Sequence, residues 1–286
     1  METKYHNPVL LDRSVADLIT NPDGVYVDVT FGGGGHSKKI LKALSDKGRL
    51  FAFDQDQDAV ANALSDPRFE LIQANFKDLK RYMKFYGVKE VDGILADFGV
   101  SSHQFDAEKR GFSTRFEGRL DMRMDQRQGL TAADIVNDAD IDELTRVFRD
   151  LGGERRARQF ARAIERERKM RRIETTGQLA NLLERVAPRR GRRAHPATKA
   201  FLGLRLEVND EMGSLRRALP AAMEVLKPGG RLAVITFHSL EDRIVKRWGR
   251  EAERDYDIVG EVDVPELRTP RRPALKRVNR KAISAG

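Results

Sequence analysis

The chain has 286 residues, 40% of them hydrophobic, which suits one large globular domain or two smaller ones. Its formal charge of +9 favours a polyanionic partner, because clustered Lys and Arg displace counterions from phosphates. The lack of cysteine excludes disulfides and thiolate metal sites, and the five histidines lack metal-binding spacing, so no metal is expected. No apolar segment approaches the ~20 residues of a membrane span, and the polar start has no signal-peptide pattern; we expect no membrane partner and a cytoplasmic location.

Five short apolar stretches predict parallel strands at 25–30, 49–54, 69–75, 91–97 and 231–237. Segments of helical length at 37–47 and 57–65 separate the first three. This alternation predicts a doubly wound, Rossmann-like α/β sheet with helices on both faces.

The alternation breaks after the fourth strand, because about 130 residues separate Asp97 from the strand at Arg231, far more than a usual connection. Apolar residues recur at helical spacing between 140 and 187, so we predict an inserted, mainly helical subdomain. One of its helices is capped by Thr175 or Thr176 and ends before Pro188. The predicted domains are 1–105 with 205–286 for the sheet, and 106–204 for the insert.

The return to the sheet has its own turn signals. A further helix is predicted from about Pro196, with interruptions at Gly213 and Pro220. Residues 228–230, Pro-Gly-Gly, are predicted to turn the chain into the last strand.

Four consecutive glycines, residues 32–35, follow the first strand and precede a predicted helix. Glycine is needed where the backbone φ angle is positive or where a Cβ atom would collide with a ligand, and ligands of doubly wound sheets bind at the carboxyl ends of strands. The run alone also fits a flexible turn. Its pattern lacks a full G-x-G-x-x-G, which argues against a pyrophosphate site.

The ends of the next three strands carry candidate ligands of an adenosine-type cofactor. Asp54 ends the second strand 19 residues after Gly35, close to the ~20-residue offset at which an acid meets a ribose. Phe76 follows the third strand near the expected adenine position, and Asp97 ends the fourth, which faces the methyl group in methyltransferases. The alternatives are a helix cap for Asp54, a role that Asp56 or Asp58 can also fill, and core packing for Phe76.

Seven motifs in order along the chain resemble those of the bacterial ribosomal RNA small-subunit methyltransferase H family, also called MraW. They are His6-Asn-Pro-Val-Leu-Leu, Asp28-Val-Thr-Phe-Gly-Gly-Gly-Gly-His-Ser, Asp97-Phe-Gly-Val-Ser-Ser-His-Gln104, Arg110-Gly-Phe-Ser, Leu120-Asp-Met-Arg-Met-Asp125, His195-Pro-Ala-Thr and Phe237-His-Ser-Leu-Glu-Asp-Arg243. The resemblance implies a class I S-adenosylmethionine methyltransferase that methylates the exocyclic N4 of a decoding-centre cytidine in 16S ribosomal RNA, within the small ribosomal subunit. It also implies the residues that hold S-adenosylmethionine: Gly34, Gly35, His36, Asp54, Phe76, Asp97 and Gln104.

The sequence departs from that family at three places. Phe98 replaces the usual Leu, Arg119 stands where Pro commonly precedes Leu-Asp-Met-Arg, and the tail after Asn279 is short. The short tail puts the last strand of the sheet, and part of the RNA affinity, in question.

Methyl transfer from a sulfonium needs no covalent intermediate, and a chain without cysteine excludes a Cys nucleophile. An acceptor for the cytosine amine would favour attack, and Asp97 or a nearby carbonyl is the candidate. Phe98 is a candidate to stack on an extruded base, with packing at the sheet end as the alternative. His238 and Ser239, after the fifth strand, are candidates to bind the base or a phosphate; the alternative for Ser239 is a helix cap.

Arginines concentrate in the insert, from Arg155 to Arg172, and again between 268 and 281 in the tail. Glutamates partly neutralise the first group. We expect a further group in the insert to bind RNA: Arg189, Arg190, Arg192 and Arg193.

Three other functions compete with this interpretation. A DNA amino-methyltransferase would share the cofactor site, but such enzymes usually carry Pro-Pro-Tyr where this chain has Phe98-Gly99-Val100. A nicotinamide dehydrogenase lacks its pyrophosphate motif here. A non-catalytic RNA-binding assembly factor would explain the charge without a cofactor pocket.

Overall fold

A computed structural model of the chain describes residues 8–99, 110–189, 194–258, 262–279 and 281–284. Strands and helices alternate at both ends of the chain, with helices alone between them. In chain order they are α1 (Leu11–Leu18), β1 (Val25–Asp28), α2 (Gly35–Ala43), β2 (Arg49–Asp54), α3 (Gln57–Val60), β3 (Phe69–Gln73), α4 (Leu79–Phe85), β4 (Val91–Phe98), α5 (Ala132–Asp138), α6 (Ile141–Arg146), α7 (Ala157–Arg168), α8 (Thr176–Val186), α9 (Thr198–Val208), α10 (Glu211–Val225), β5 (Leu226–Thr236), α11 (Ser239–Glu253), β6 (Tyr256–Ile258) and β7 (Arg268–Pro270).

The described residues pack as two compact units. One contains 8–54, 63–99 and 214–284, less the gaps at 259–261 and 280, and is called the sheet unit. The other contains 55–62 and 110–213, less the gap at 190–193, and is called the helical unit. The domain limits predicted from the sequence stay a prediction. In the structure the segments 55–62 and 205–213 pack with the helical unit.

Five parallel strands in the order β3-β2-β1-β4-β5 form the sheet, which confirms the predicted fold class. The register pairs Val27 of the central strand with Phe51 and with Ile94. Backbone hydrogen bonds continue this pairing past the end of β1, from Val29 to Leu95 and from Phe31 to Phe53. The loop after β1 is therefore held between the ends of β2 and β4.

Apolar side chains alternate between the two faces of the sheet, as a strand with both faces covered requires. On one face, sheet residues pack against α1 and α2; these include Tyr26, Leu50 and Leu95 with Leu18 and Ile40. On the other face, sheet residues pack against α4 and α10; these include Val27, Phe51 and Ile94 with Met83 and Leu219. The helices on both faces confirm the doubly wound arrangement.

The fifth strand begins earlier than predicted, at Leu226, so the expected turn at residues 228–230 is wrong. Val91 pairs with Leu226 and Gly93 with Arg231, so the extra residues form an irregularity within the strand pair. Gly229 takes a φ of 81° there, a conformation that glycine adopts without strain.

Helix bounds differ from prediction at two places and agree with it at a third. The helix after β2 is only four residues long, α3, with the Asp56 carboxylate capping it by accepting the Asp58 N–H at 3.0 Å. Gly213 and Pro220 do not interrupt a helix, because both lie inside α10. Thr175 caps α8 in a reciprocal pair with Gln178, which confirms that predicted start.

The helical unit has its own apolar core, to which Phe148, Phe160, Leu179 and Leu204 contribute fully buried side chains. In the tail, β6 and β7 form a separate antiparallel pair. Among the described residues, no helix is long and apolar enough to cross a bilayer.

Candidate active site at the carboxyl edge of the sheet

The glycine loop after β1 is shaped by backbone conformation. Gly32 and Gly34 have φ angles of 52° and 74°, which side-chain-bearing residues rarely adopt. A Cβ at Gly34 would lie 2.9 Å from the ring of Phe31, and one at Gly35 would collide with the ring of Pro8. Gly32 and Gly34 therefore allow the turn, and Gly35 allows Pro8 to approach the loop closely.

The loop presents backbone N–H groups at the start of α2. Gly34 is the N-cap residue of that helix, with no side chain to cap it. The Gly32 N–H donates to Asp54 Oδ2 at 2.8 Å, so the acid at the end of β2 is fixed against the loop. Half-buried Asp54 thus lies beside the glycines, as the ribose-binding hypothesis requires.

His36 and Asp97 meet across the ends of β1 and β4. Their closest atoms, His36 Nδ1 and Asp97 Oδ2, lie 3.6 Å apart, and the His36 ring is 5% exposed. The Asp97 N–H donates to Thr30 Oγ1 at 2.7 Å, which ties β4 to the loop after β1. Within the described part of the chain, His36 Nε2 and Asp97 Oδ1 are buried without a hydrogen-bond partner.

Burial governs the protonation of this cluster. Burial raises the pKa of Asp97 to about 7, with further contributions from the nearby charges of Asp28 and Glu241. Burial lowers the pKa of His36, against the opposing attraction of Asp28. Burial also raises the pKa of Asp28, although its carboxylate accepts the Ser37 hydroxyl at 2.7 Å and the Thr30 N–H at 3.1 Å. The site thus holds a carboxyl group poised to change charge near neutral pH.

Phe76 and Phe98 contact each other at the ends of β3 and β4, with ring centroids 5.4 Å apart. Phe98 is 9% exposed and belongs to the core of the sheet unit. Phe76 is half-buried and packs on the same core. For Phe98 this burial favours packing at the sheet end over stacking on an extruded base.

Phe237 is an exposed aromatic residue that the sequence analysis did not single out. It follows β5 and is 53% exposed. Its ring lies over Gly99, where an added Cβ would be 2.7 Å from Phe237 Cε2. Its place in the Phe237-His-Ser motif, directly after an apolar strand, was the available sequence signal.

The start of α11 corrects one prediction. Ser239 is the first helical residue, and His238, with extended backbone, is the N-cap, so the predicted Ser239 cap is wrong. Glu241, 2% exposed, instead accepts the N–H groups of Phe237 at 2.8 Å and His238 at 3.3 Å. Its carboxylate also lies 3.0 Å from His238 Nε2. A single buried acid therefore holds both residues at the end of β5.

Comparison with known proteins assigns the chain. The model of the MraW methylase family matches residues 3–286. The chain belongs to the MraW methylase family. Relatives named ribosomal RNA small subunit methyltransferase H include one from Flavobacterium johnsoniae, 52% identical over 92% of this chain and 88% of that protein. Another, from Phocaeicola vulgatus, is 48% identical over 99% of this chain and 91% of that protein.

Several solved structures resemble this family member only weakly. A putative rRNA-methylase from Clostridium thermocellum covers 32% of this chain and 53% of its own, at 22% identity and a TM-score of 0.29. A similarity of that size does not establish a shared fold. The fold assignment rests on the strand order and on the family.

Two of the family-like motifs have a structural role in this methylase. The Arg110 guanidinium binds the Asp56 carboxylate through two bonds of 3.1 and 2.9 Å, and also contacts Asp58. Its Nη2 donates to the carbonyls of Arg123 and Met124. These contacts lie inside the helical unit and join the Arg110 and Leu120–Asp125 motifs to the segment 55–62.

The predicted RNA-binding arginines are only partly described. Gln104, Arg190, Arg192 and Arg193 lie outside the described residues. Arg189 is half exposed and pairs with Glu184 at 2.6 Å. The other oxygen of that carboxylate lies 3.4 Å from His195, so Arg189 is partly neutralised.

The residues at the carboxyl edge fit the cofactor implied by a methylase. The unpartnered Asp97 Oδ1 and His36 Nε2 are polar atoms that a bound polar group can satisfy. The positive-φ glycines shape the loop that joins Asp54 to the start of α2, where His36 lies. Among the described candidates, Gly34, Gly35, His36, Asp54 and Asp97 converge there.

Proposed function

We propose that this chain is an S-adenosylmethionine-dependent methyltransferase that methylates the exocyclic N4 of a cytidine in 16S ribosomal RNA of the small ribosomal subunit. The observation that carries the proposal is the convergence of the glycine loop, Asp54 and Asp97 at the ends of three neighbouring parallel strands. The names of the relatives, which specify small-subunit ribosomal RNA, support the substrate class.

In this proposal the cofactor is held by residues of the sheet unit. Asp54, fixed by the Gly32 N–H, would accept hydrogen bonds from the ribose hydroxyls. Phe76 would border the adenine, and Gln104, from outside the described residues, would complete the pocket. The loop at Gly34 and Gly35 would leave room for the cofactor backbone beside the start of α2.

Asp97 is the proposed link between cofactor and substrate. Bound S-adenosylmethionine would supply a methyl group on a sulfonium centre, with the neutral thioether as the leaving group when the amine attacks in line. A positive charge beside Asp97 would lower its raised pKa and favour the carboxylate. The carboxylate could then accept an N–H of the cytosine amine, orienting its lone pair for attack and receiving the proton that leaves.

Phe237 is the better candidate than Phe98 for contact with the target base. An exposed ring at the end of β5 offers a face on which an extruded base can stack, whereas Phe98 is covered by Phe76. Glu241 would keep the ring in place through its bond to the Phe237 N–H. His238 and Ser239 remain candidates to bind the base or a phosphate.

Arginines of the helical unit would supply affinity for the RNA backbone. Arg189 is the described member of the predicted group, with Arg190, Arg192 and Arg193 beyond it in sequence. Contacts of arginine with phosphate position the RNA without reading its sequence.

The deciding experiment is nucleoside mass spectrometry of small-subunit ribosomal RNA from cells with and without the protein. The proposal expects loss of N4-methylated cytidine without it, and restoration by wild type but not by Asp54→Ala. Glu70→Ala, on the adjacent strand β3, serves as the matched carboxylate control and should restore the modification. An unchanged nucleoside profile would remove the RNA substrate from the proposal.

A further inference from the structure

Helix α11 carries a line of arginines on one face. Arg243, Arg247 and Arg250 follow one another at helical spacing of four and three residues, which places them within a sector of about 60°. All three are exposed. We call these three residues the α11 arginine stripe.

The opposite side of α11 explains why the stripe faces outward. Ile244, Val245 and Trp248 pack against the core of the sheet unit. The helix is therefore amphipathic and fixed in rotation, so the arginines are held in one direction.

The stripe lacks ionic partners, unlike its neighbours. Within the described part of the chain, none of the three arginines forms an ion pair. Three of the described arginines of the tail are paired instead: Arg268 with Asp263, Arg271 with Asp257 and Arg277 with Glu253. Of the acids near the end of α11, Glu251 and Glu253 are thus engaged with arginines outside the stripe, and the stripe keeps its positive charge.

Like charges at this spacing repel each other along a helix. An arrangement that weakens the helix, with no internal partner to offset it, indicates a ligand outside the chain. A row of exposed guanidinium groups suits phosphates, which they bind through paired N–H groups.

The stripe ends at a cavity of about 620 Å³. Its lining combines Arg254, Tyr256 and the three arginines of the stripe with four acids, Glu251, Glu253, Asp255 and Asp263. The Tyr256 ring is covered by Arg254 and Arg268, at 5.5 and 4.2 Å from its centroid. The aromatic ring thus holds two further arginines beside the stripe, each paired with an acid of the cavity lining, Glu251 or Asp263.

The position of α11 connects this surface to the candidate site. The helix begins at Ser239, immediately after Phe237 and His238 at the end of β5. At 1.5 Å per residue, Arg243 lies about 6 Å and Arg250 roughly 16 Å along the helix from Ser239. The stripe therefore leads away from the carboxyl edge of the sheet.

We propose that the α11 arginine stripe binds the phosphate backbone of the RNA strand that flanks the target nucleotide. This inference rests on the proposed function, since it takes RNA as the substrate. The stripe would position the strand so that the target base reaches Phe237, and the helical unit would bind other parts of the RNA.

The test compares two triple variants with the same change in net charge. R243Q/R247Q/R250Q removes the stripe, and K42Q/K84Q/K89Q removes three exposed lysines of the sheet unit that have no ion pair among the described residues. Binding to a small-subunit ribosomal RNA fragment containing the target cytidine is measured over a range of salt concentrations. Calorimetric binding of S-adenosylmethionine and circular dichroism verify that each variant is folded.

Loss of three phosphate contacts should reduce the slope of log K against log salt by about 2 and weaken binding about tenfold or more near physiological salt. The lysine control should match wild type, and R243K/R247K/R250K should recover most of the slope. Equal slopes for the stripe variant and the lysine control would overturn the inference while leaving the methyltransferase proposal intact. Failure of the wild-type protein to bind the RNA would overturn both the inference about the stripe and the proposed RNA substrate. The nucleoside profile tests the proposed RNA substrate independently.

Discussion

His36 Nδ1 and Asp97 Oδ2 lie 3.6 Å apart in a buried place where the pKa of the histidine is lowered and that of the acid is raised. Burial is the main cause in both cases, because it disfavours the charged form of each group. Near pH 7 the histidine is therefore neutral, whereas the acid is divided between its protonated and ionised forms. A bound cation would change that balance by drawing the carboxyl into its ionised form.

Asp97 should make the stability of the protein depend on pH. Its pKa is about 7 in the folded protein and 3.8 in the unfolded chain, so the folded state holds the proton more tightly. The contribution of protonated Asp97 to the free energy of unfolding is fully present below pH ~4. Between pH ~4 and ~7 that contribution falls by about 1.4 kcal/mol per pH unit. Asp97→Asn removes this pH dependence. Between pH 5 and 7 the free energy of unfolding of the variant should therefore rise relative to that of wild type.

Urea unfolding at pH 5, 6, 7 and 8 measures this difference, in which contributions shared by both proteins, including that of His36, largely cancel. Asp66→Asn is the control, since Arg68 hydrogen bonds hold the pKa of Asp66 at about 2, below the range tested. Its difference from wild type should be constant. A constant difference for Asp97→Asn as well would show that the folded-state pKa of Asp97 is not raised.

Binding of S-adenosylmethionine should weaken in acid for the same reason. If the ionised Asp97 favours the sulfonium, protonation near pH 7 removes that attraction, and Kd should rise about tenfold between pH 8 and pH 6. Isothermal titration calorimetry measures the change. S-adenosylhomocysteine, which has no sulfonium charge, should show a flatter profile, as should Asp97→Asn with either ligand. Identical profiles for the two ligands would remove Asp97 from the sulfonium site.

The catalytic role of Asp97 needs a separate measurement. At saturating cofactor, single-turnover methylation by Asp97→Asn should fall by 10²-fold or more if the carboxylate accepts a proton of the amine. Asp28→Asn offers a comparison, since Asp28 is fully buried and bonded to Ser37. Unchanged single-turnover chemistry in Asp97→Asn would confine the residue to cofactor binding.

Hydrophobic pattern was enough to predict the sheet, because strands covered on both faces are strongly apolar. It predicted the limits of β2 correctly but ended α3 too late, where the chain passes from one unit to the other after four helical residues. Pro220 inside α10 and the irregular start of β5 depend on tertiary packing that local turn signals do not encode.

The sequence located residues that follow strands at one edge of the sheet, but it did not reveal which side chains are exposed there, and the roles of these residues stay predictions. The position of Asp54 and Asp97 follows from chain topology, since parallel strands end at one edge. Phe98 and Phe237 each follow an apolar strand, so sequence alone cannot distinguish the covered ring from the exposed one. Glu241 lies in the Phe237–Arg243 motif, but nothing in the sequence shows that it is buried beside the residues of the candidate site.

Arg110 should be among the most important residues for stability of the helical unit. Replacing it with Ala leaves the Asp56 carboxylate buried without its bidentate partner, which is expected to cost about 3–5 kcal/mol. Arg127→Ala, which breaks an exposed pair with Asp125, should cost less than about 1 kcal/mol. Urea unfolding compares the two, and Arg110→Lys should fall between them. A loss below about 1 kcal/mol for Arg110→Ala would contradict the structural role.

We predict opposite effects on methylation for substitutions of Phe237 and Phe98, because only Phe237 is proposed to contact the target base. Stacking of a base on an exposed ring is worth about 1–3 kcal/mol, so Phe237→Ala should lower kcat/KM for RNA by about 10- to 100-fold. Phe237→Trp should keep most of the activity. Phe98→Leu should cost stability but leave turnover within about threefold, because the ring is covered by Phe76.

Phe85→Ala is the matched control for that experiment, since Phe85 is 79% exposed at the end of α4. It removes a ring of the same size and should leave methylation unchanged. Steady-state methylation of a ribosomal RNA fragment, with cofactor affinity measured in parallel, distinguishes loss of stacking from loss of the pocket. If Phe98→Leu lowers methylation and Phe237→Ala does not, the base stacks on the β4 side of the site. In that case Phe98 must become exposed when RNA binds.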